Sequence, residues 1–374
     1  MDSDLLEAFW RLAQQPAAQY TPAMFIVGIG TATPPQRYSQ MDCWTTLKAS
    51  PRFQEFTPRS QAILKKVLTG DSGIATRHLA LDHLTEAFEI TPDVLQARFL
   101  EQAPKLAAQA AERALAAAQL APAEIDAILI STCTGYLCPG LTSYTSERLG
   151  LRPDVLALDL VGQGCGAALP NLQTAQALVA AGQYQHVLSI CVEVCSAAFY
   201  LDDDAGVLIS ACLFGDGAGA VVLAAAANGG RRVEWKSGAS LLKPDDRDRL
   251  RFEQKNGLLR NILTPEVPAL AAAHAATVLG DTLARNQMAR SQISGWILHP
   301  GGRDVLVALR KKLRLSEHDV RWSEGVLRQH GNMSSPSVLF ALQAALANGA
   351  PGGWWWMTAF GAGFSCHGAL LEVE

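Results

Sequence analysis

The chain has 374 residues, of which 49 % are hydrophobic and 18 % charged, with a net charge of -4 and a pI near 6.1. That balance describes a globular protein with large buried cores, in one big domain or two fused ones, and excludes a disordered or fibrous chain. It offers no long basic run for a nucleic acid to hold, and no stretch nears the roughly 20 uninterrupted apolar residues that span a bilayer.

Residues 1–24 carry Asp2, Asp4 and Glu7 ahead of their apolar positions. A secretory signal wants positive charge and a longer apolar core there, so a short amphipathic helix and a cytoplasmic protein are expected. FIVGIG (25–30) then reads as a strand, 104–119 as an alanine-rich helix, and DAILIST (126–132) and VLALDL (155–160) as strands. Residues 168–181 read as a helix, HVLSICVEV (186–194) and GAVVLAA (219–225) as strands, and 268–286 and 336–348 as helices. Short apolar strands alternating with helices imply a layered α/β fold. HVLSICVEV is nearly continuous in apolar residues, as a strand covered on both faces should be. Residues 226–265, with Gly229-Gly230 and the charged PDDRDRLRFEQK, read as a surface insertion.

The second half echoes the first. AAERALAAAQLAPAEIDAILISTCTG (110–135) and LGDTLARNQMARSQISGWILHPGG (279–302) share the layout helix, short loop, strand, turn. LDLVGQGCGAALPNLQTAQALVAAG (158–182) pairs in the same way with EGVLRQHGNMSSPSVLFALQAALANG (324–349). HVLSICVEV pairs with WWWMTAFGAG (354–363), and GDGAGAVVLAA with CHGALLEVE. Cys165 lies 40 positions after Ile125, and Asn332 lies 39 after Ile293. Two pseudo-duplicated halves, 25–226 and 227–374, would bring Cys165, Asn332 and His299 together about a pseudo-twofold axis.

Of the eight cysteines, Cys43, Cys133, Cys138, Cys191, Cys195, Cys212 and Cys366 read as packing thiols of a reduced compartment. There is no CxxC pair and no Cys/His cluster at zinc spacing. Cys165 differs because glycines flank it, which gives a reactant room, and a helix starts after it. A free thiol has a pKa near 8.5, so half ionisation at pH 7 needs about 2 kcal/mol. A helix N-terminus contributes roughly 0.3–2 kcal/mol, and a neighbouring imidazolium the rest. A stored thiolate–imidazolium pair is therefore expected, ready to attack thioesters or carbonyls. His299 ends the strand GWIL and precedes Pro-Gly-Gly, a positioned side chain in a backbone opening. Asn332 reads either as the N-cap of helix 336–348 or as an amide donor. With His299 Nε2–H, such a donor would form an oxyanion hole, each donor contributing roughly 3–4 kcal/mol.

The order GQGCGA (162–167), CLFGDGAGA (212–220), HPGG (299–302), GNMSS (331–335) and FGAG (360–363) resembles the type III polyketide synthases, the chalcone synthase family, from about Ile26 to Glu372. The resemblance implies a thiolase-like five-layered αβαβα fold, a homodimer, and catalytic Cys165, His299 and Asn332. It implies an acyl-CoA starter extended by malonyl-CoA, both as substrates, with no metal or other cofactor. It places Phe214 as a gatekeeper, where the plain alternative is a core aromatic. Cys133, Cys195 and Ala198 fall on cavity-lining positions, and Cys138 on one that reaches across a dimer. Glu193 and Ser334 match a polar pair that in stilbene-forming relatives helps direct a water to a thioester.

The chain also departs from the family's pattern. Its GFGPG loop is Ala359-Phe360-Gly361-Ala362-Gly363 here, and the second gatekeeper falls near Asn261, which would open the cavity mouth. Arg59, Lys65, Lys66 and Arg303 lie where CoA phosphates would bind, though charged helix faces explain them equally. Two other readings stand beside this one: a ketoacyl-ACP synthase III-like enzyme that condenses once with a carrier protein, and a catalytically degenerate acyl-CoA binder. A papain-like hydrolase lacks that family's local signature around the cysteine.

Overall fold

The computed structural model describes residues 23–374; the amphipathic helix expected at the N-terminus lies outside the described residues. The strands among them are β1 (Met24–Ala32), β2 (Arg37–Ser39), β3 (Thr76–His78), β4 (Ala127–Thr132), β5 (Leu156–Val161), β6 (His186–Glu193) and β7 (Gly217–Ala224). There follow β8 (Val233–Leu242), β9 (Leu250–Lys255), β10 (Leu258–Leu263), β11 (Ile293–Leu298), β12 (Gly353–Gly361) and β13 (Ser365–Val373). The helices that position the site are α1 (Pro58–Thr69), α2 (Pro92–Ala118), α3 (Ala168–Ala180), α4 (Ala205–Leu213), α5 (Val267–Arg285), α6 (Arg303–Leu313), α7 (Glu317–His330) and α8 (Ser337–Ala347).

Nine strands make one sheet in the order β11-β12-β13-β8-β1-β7-β6-β4-β5. Outward from the β8–β1 seam, β8, β13, β12 and β11 mirror β1, β7, β6 and β4, with antiparallel neighbours first and a parallel pair beyond. The seam itself is short, pairing Met24 with Trp235 and Phe25 with Glu234. Before its inner helix the first half has the strand β5, whereas the second has the helix α7.

Side-chain alternation sorts these strands into layers. Ile128 and Ile130 of β4 pack outward with Ala103, Ala107, Ala110 and Ala114 of α2. Ala127 and Leu129 of the same strand face inward, toward Leu169 and Leu172 of α3 and Val338, Leu339 and Leu342 of α8. That inner layer also takes Ile297, Trp355 and Met357 from the second half, whose outer face is covered by α5 and α6. The result is helix, sheet, helix pair, sheet, helix, a thiolase-like fold. Gly30 shows how tightly the outer layer sits: a Cβ there would lie 2.4 Å from the Ala110 carbonyl oxygen and 2.5 Å from the Ala114 nitrogen.

Two expectations need correction. The first helix begins at Pro92 rather than 104, because Thr91 caps it by accepting from the Val94 N–H and Pro92 opens it. Pro104 is tolerated inside. Residues 226–265 are not simply a surface insertion: β8 sits mid-sheet between β13 and β1. Its polar run EWKSGAS hides a strand whose place is set by backbone pairing, and only β9 and β10 stand apart as a two-stranded ribbon. Helix α5 has the length and composition of a membrane span, yet Ala271, Ala275 and Val278 are buried against the second half-sheet.

Candidate active site

The corner after β5 turns through Gly162 (φ 85°) and Gly164 (φ 55°), left-handed conformations that favour glycine. A 3-10 turn, Gly164–Gly166, carries Cys165, and α3 follows at Ala168. The glycines do not leave space for a reactant. A Cβ on Gly166 would lie 3.2 Å from the Gly361 nitrogen, the Phe360 carbonyl carbon and His367 Cδ2, and one on Gly164 would lie 3.0 Å from the Ala362 nitrogen. They let the loop after β12 close over the nucleophile's corner.

Two further segments carry the other expected residues. His299 follows β11, its N–H donating to the Thr358 carbonyl at 2.9 Å, and its ring meets Phe360 edge-on at 5.1 Å. Asn332 lies on a bridge with Phe214: its N–H donates to the Leu213 carbonyl, and its own carbonyl accepts from Gly215, both at 2.9 Å. Asn332 Nδ2 donates to the Gly301 carbonyl at 3.1 Å, which occupies one of its two protons. Asn332 Oδ1 accepts from the Ser334 N–H at 2.8 Å, and Ser334 Oγ donates to Cys165 Sγ at 3.2 Å. Ser334 thus ties the Asn332 turn to the Cys165 corner. Asn332 does not cap α8, which has Pro336 at that position and no side-chain cap bond.

Burial runs against the expected ion pair. Burial pushes the Cys165 thiol up to about 12, against the Ser334 hydrogen bond, and Glu193 adds to the rise. Burial alone lowers His299 to about 3. Both shifts favour the neutral forms of the two groups. That form of His299 suits a hydrogen-bond donor better than a stored cation.

A small cavity of about 20 Å³ adjoins Ser334. Cys133, Cys195, Ala198, Phe214, Asn261 and Ser334 all line it, so six residues named from sequence meet on one wall. Phe252 lines it too, a residue sequence reasoning passed over because it lies in the charged stretch read as surface; its pairing with Asn261 across β9 and β10 brings it in. A larger cleft of about 400 Å³ shares Cys133, Thr134 and Phe252 and reaches Val161, Gly164 and Ala362. Two residues expected on the wall lie behind it. Glu193 is fully buried and Phe360 is 2 % exposed, the latter packed on His299 and 6.5 Å from Phe364.

The basic residues are not brought to either cavity. Arg59, Lys65 and Lys66 are exposed on α1, and Arg303 Nη1 is held by the Asp71 carbonyl oxygen at 2.6 Å and carboxylate at 3.1 Å. Cys138 is exposed. Among the described residues no group of three or more His, Cys, Asp or Glu is placed to hold a metal ion.

Buried imidazoles make a first prediction. His299 is lowered to about 3. His330 is lowered to about 4 by burial, with His78 and Arg37 adding, and His367 to about 4 by burial. Each is neutral when folded and binds a proton more readily when unfolded, so stability is full above about pH 6.5 and drains away as pH falls toward 4. His299 alone accounts for on the order of 3 kcal/mol at pH 4. The urea midpoint is expected to drop steeply between pH 7 and 4.5; a flat midpoint would contradict the burial of these rings.

The chain and its fold also match known proteins. Residues 24–240 match the model of the FAE1/type III polyketide synthase-like proteins, and 283–373 that of the 3-oxoacyl-[acyl-carrier-protein] synthase III C terminal. The chain is 31 % identical to a 3,5-dihydroxyphenylacetyl-CoA synthase of Streptomyces toyocaensis, covering 100 % of this chain and 96 % of the relative. It is 32 % identical to a 1,3,6,8-tetrahydroxynaphthalene synthase of Streptomyces peucetius subsp. caesius, over 93 % and 92 %. The structure of PKS-I from the brown alga Ectocarpus siliculosus superposes with a TM-score of 0.86 at 27 % identity, over 95 % of this chain and 100 % of that one.

Proposed function

We propose that this chain, which belongs to the type III polyketide synthase family, takes an acyl group from an acyl-CoA starter onto Cys165 and extends it with malonyl-CoA. The chain is an acyltransferase of the condensing type. Malonyl-CoA loses carbon dioxide, the enolate oxygen is held by His299 Nε2–H and the free proton of Asn332 Nδ2, and the enolate carbon attacks the Cys165 thioester. After a few rounds the product closes to a resorcinol, phloroglucinol or pyrone ring in the larger cleft beside Cys133 and Phe252. CoA thioesters are the substrates, and the scheme uses no cofactor.

The observation that carries this reading is the linkage Cys165–Ser334–Asn332. The proposed chemistry needs one nucleophile and two uncharged donors around the enolate, and this linkage supports it by tying the Asn332 turn to the nucleophile. A homodimer acting in the cytoplasm fits the same reading: β5 is an open edge of the sheet, and Val161 on it and Tyr136 beside Cys138 are 59 % and 71 % exposed.

The C-terminal match to a carrier-protein synthase favours a second reading, a single condensation with malonyl delivered on a carrier protein. A panel of starter-CoAs with malonyl-CoA and no carrier protein, read by product mass, separates the two. The polyketide reading expects products heavier than the starter by several two-carbon units. Product only when carrier protein is supplied would replace it with the second reading, and no product under either condition would leave an acyl-CoA binder.

A further inference from the structure

The β9–β10 ribbon stands apart from the nine-stranded sheet, and a lone pair of strands is marginal in water. Its place therefore depends on what ties it to its neighbours. At its tip, Asn256 (φ 55°) and Gly257 (φ 76°) turn the chain, and a Cβ on Gly257 would lie 3.1 Å from Pro92 Cγ at the start of α2. At its base, a Cβ on Gly206 of α4 would lie 2.3 Å from the Leu263 carbonyl oxygen, so helix and ribbon meet closely there.

Between these ends sits Arg260, its side chain 12 % exposed. Each of its three nitrogens meets a carboxylate: Nε that of Asp202 at 3.0 Å, Nη2 that of Asp204 at 3.3 Å and Nη1 that of Glu253 at 3.0 Å. Glu253 is its cross-strand partner on β9, whereas Asp202 and Asp204 lead into α4. Asp204 also caps that helix, its Oδ1 accepting from the Gly206 and Val207 N–H groups at 2.9 and 3.1 Å. One guanidinium thus joins both strands of the ribbon to the α4 N-terminus, and its planar fork lets it meet three carboxylates at once. Lys255 Nζ, 3.9 Å from Asp202, is a weaker second tie.

Side chains alternate along the ribbon. Glu253 and Arg260 form one cross-strand pair, and the next pair, Phe252 and Asn261, lies on the opposite face. Phe252 and Asn261 close the small cavity from one side, and Val207, Ser210 and Ala211 of α4 from the other. Its volume of about 20 Å³ is room for about one water. An acyl tail enters between α4 and the ribbon only if the two part, and Arg260 resists that parting.

We infer that Arg260 is a specificity-determining residue: by holding the ribbon on α4 it shuts this space, and it restricts the acyl chains carried by Cys165 to those the larger cleft accepts. Arg260 touches no reacting atom and acts by positioning Phe252 and Asn261. The inference rests on Cys165 as the acyl carrier of the proposed reaction.

The test is loading of Cys165 from single straight-chain acyl-CoAs, butyryl to palmitoyl, without malonyl-CoA, read by intact mass. Arg260→Met removes the charged fork and keeps an apolar stem. The ratio of palmitoyl to butyryl loading rates is expected to rise at least tenfold in this variant, the order of discrimination that a hydrophobic pocket gives. General damage to the fold would slow every acyl-CoA together and leave the ratio unchanged. Asp202→Asn should move the ratio the same way by less, and adding it to Arg260→Met should change little more, because the two share one contact. A ratio unchanged or lower in Arg260→Met, with wild type loading normally, overturns the inference and leaves the proposed function standing. Failure of wild type to load any acyl-CoA defeats the proposed function and this inference with it. Should Arg260→Met not fold, Arg260→Lys keeps the charge without the fork. A higher ratio there supports the inference, and an unchanged one overturns it.

Discussion

Cys165→Ala is expected to abolish condensation with every starter, a loss on the order of 10⁴-fold or more in kcat, as when a covalent nucleophile is removed. No other described thiol can take over. Cys133 lies on the cavity wall, but its thiol is held by Glu193 and Ser334 and is raised well above the usual range by burial, with Glu193 adding. Cys195 is raised in the same way by burial, with Asp216 adding. Cys165→Gln separates the two halves of the reaction. It removes acyl transfer, but it leaves His299 and Asn332 in place and an amide where the thioester would sit, so malonyl-CoA should still lose carbon dioxide and yield acetyl-CoA. Product masses from Cys165→Ala at wild-type yield would sink the covalent mechanism.

Asn332→Asp is expected to lower the rate of malonyl-CoA decarboxylation by 10²–10³-fold, roughly 3–4 kcal/mol, the usual loss for one oxyanion donor. This substitution keeps the turn. The Ser334 N–H still finds an acceptor where it now meets Asn332 Oδ1, and the backbone bridge to Phe214 does not involve the side chain. What goes is the Nδ2 donor, and a negative charge faces the developing enolate instead. The effect should fall on kcat rather than KM, because the donor acts on charge that exists only after the carboxylate begins to leave. The readout is acetyl-CoA formed without a starter. A kcat within threefold of wild type would remove Asn332 from the oxyanion site. His299→Gln, which retains an N–H donor on a shorter side chain, should lose less than His299→Ala.

Much of the site was legible because its signals are local. A glycine-bounded turn between a strand and a helix is a short-range device, and the corners at Cys165, His299 and Asn332 are each of that kind. The mirrored strand order likewise follows from segments whose hydrophobic period repeats along the chain. Where expectation failed, the cause was long-range. The polar alternation of β8 looked exposed, yet β1 and β13 pair with its backbone. Phe252 sat in a charged run, but the β9–β10 ribbon folds it onto the cavity wall. Gly166 looked like space for a substrate and proved to be space for the chain's own loop after β12.

The amino-acid sequence alone therefore determined the class of fold and singled out the corners at Cys165, His299 and Asn332. Turn chemistry and hydrophobic periodicity act over a few residues and do not need the rest of the molecule. The tertiary structure decided the burial of those residues and the contacts among them. Whether Cys165 rests as thiol or thiolate depends on how completely five layers exclude water from it, and that burial sets the thiol near 12 and His299 near 3. Only the packing of β6 against the Ser334 turn puts a hydroxyl between the nucleophile and a buried carboxylate. Charge and hydrogen bonding in a low-dielectric interior are set by everything that surrounds a group, and residues 141 and 169 positions apart in the chain become neighbours only once the layers close.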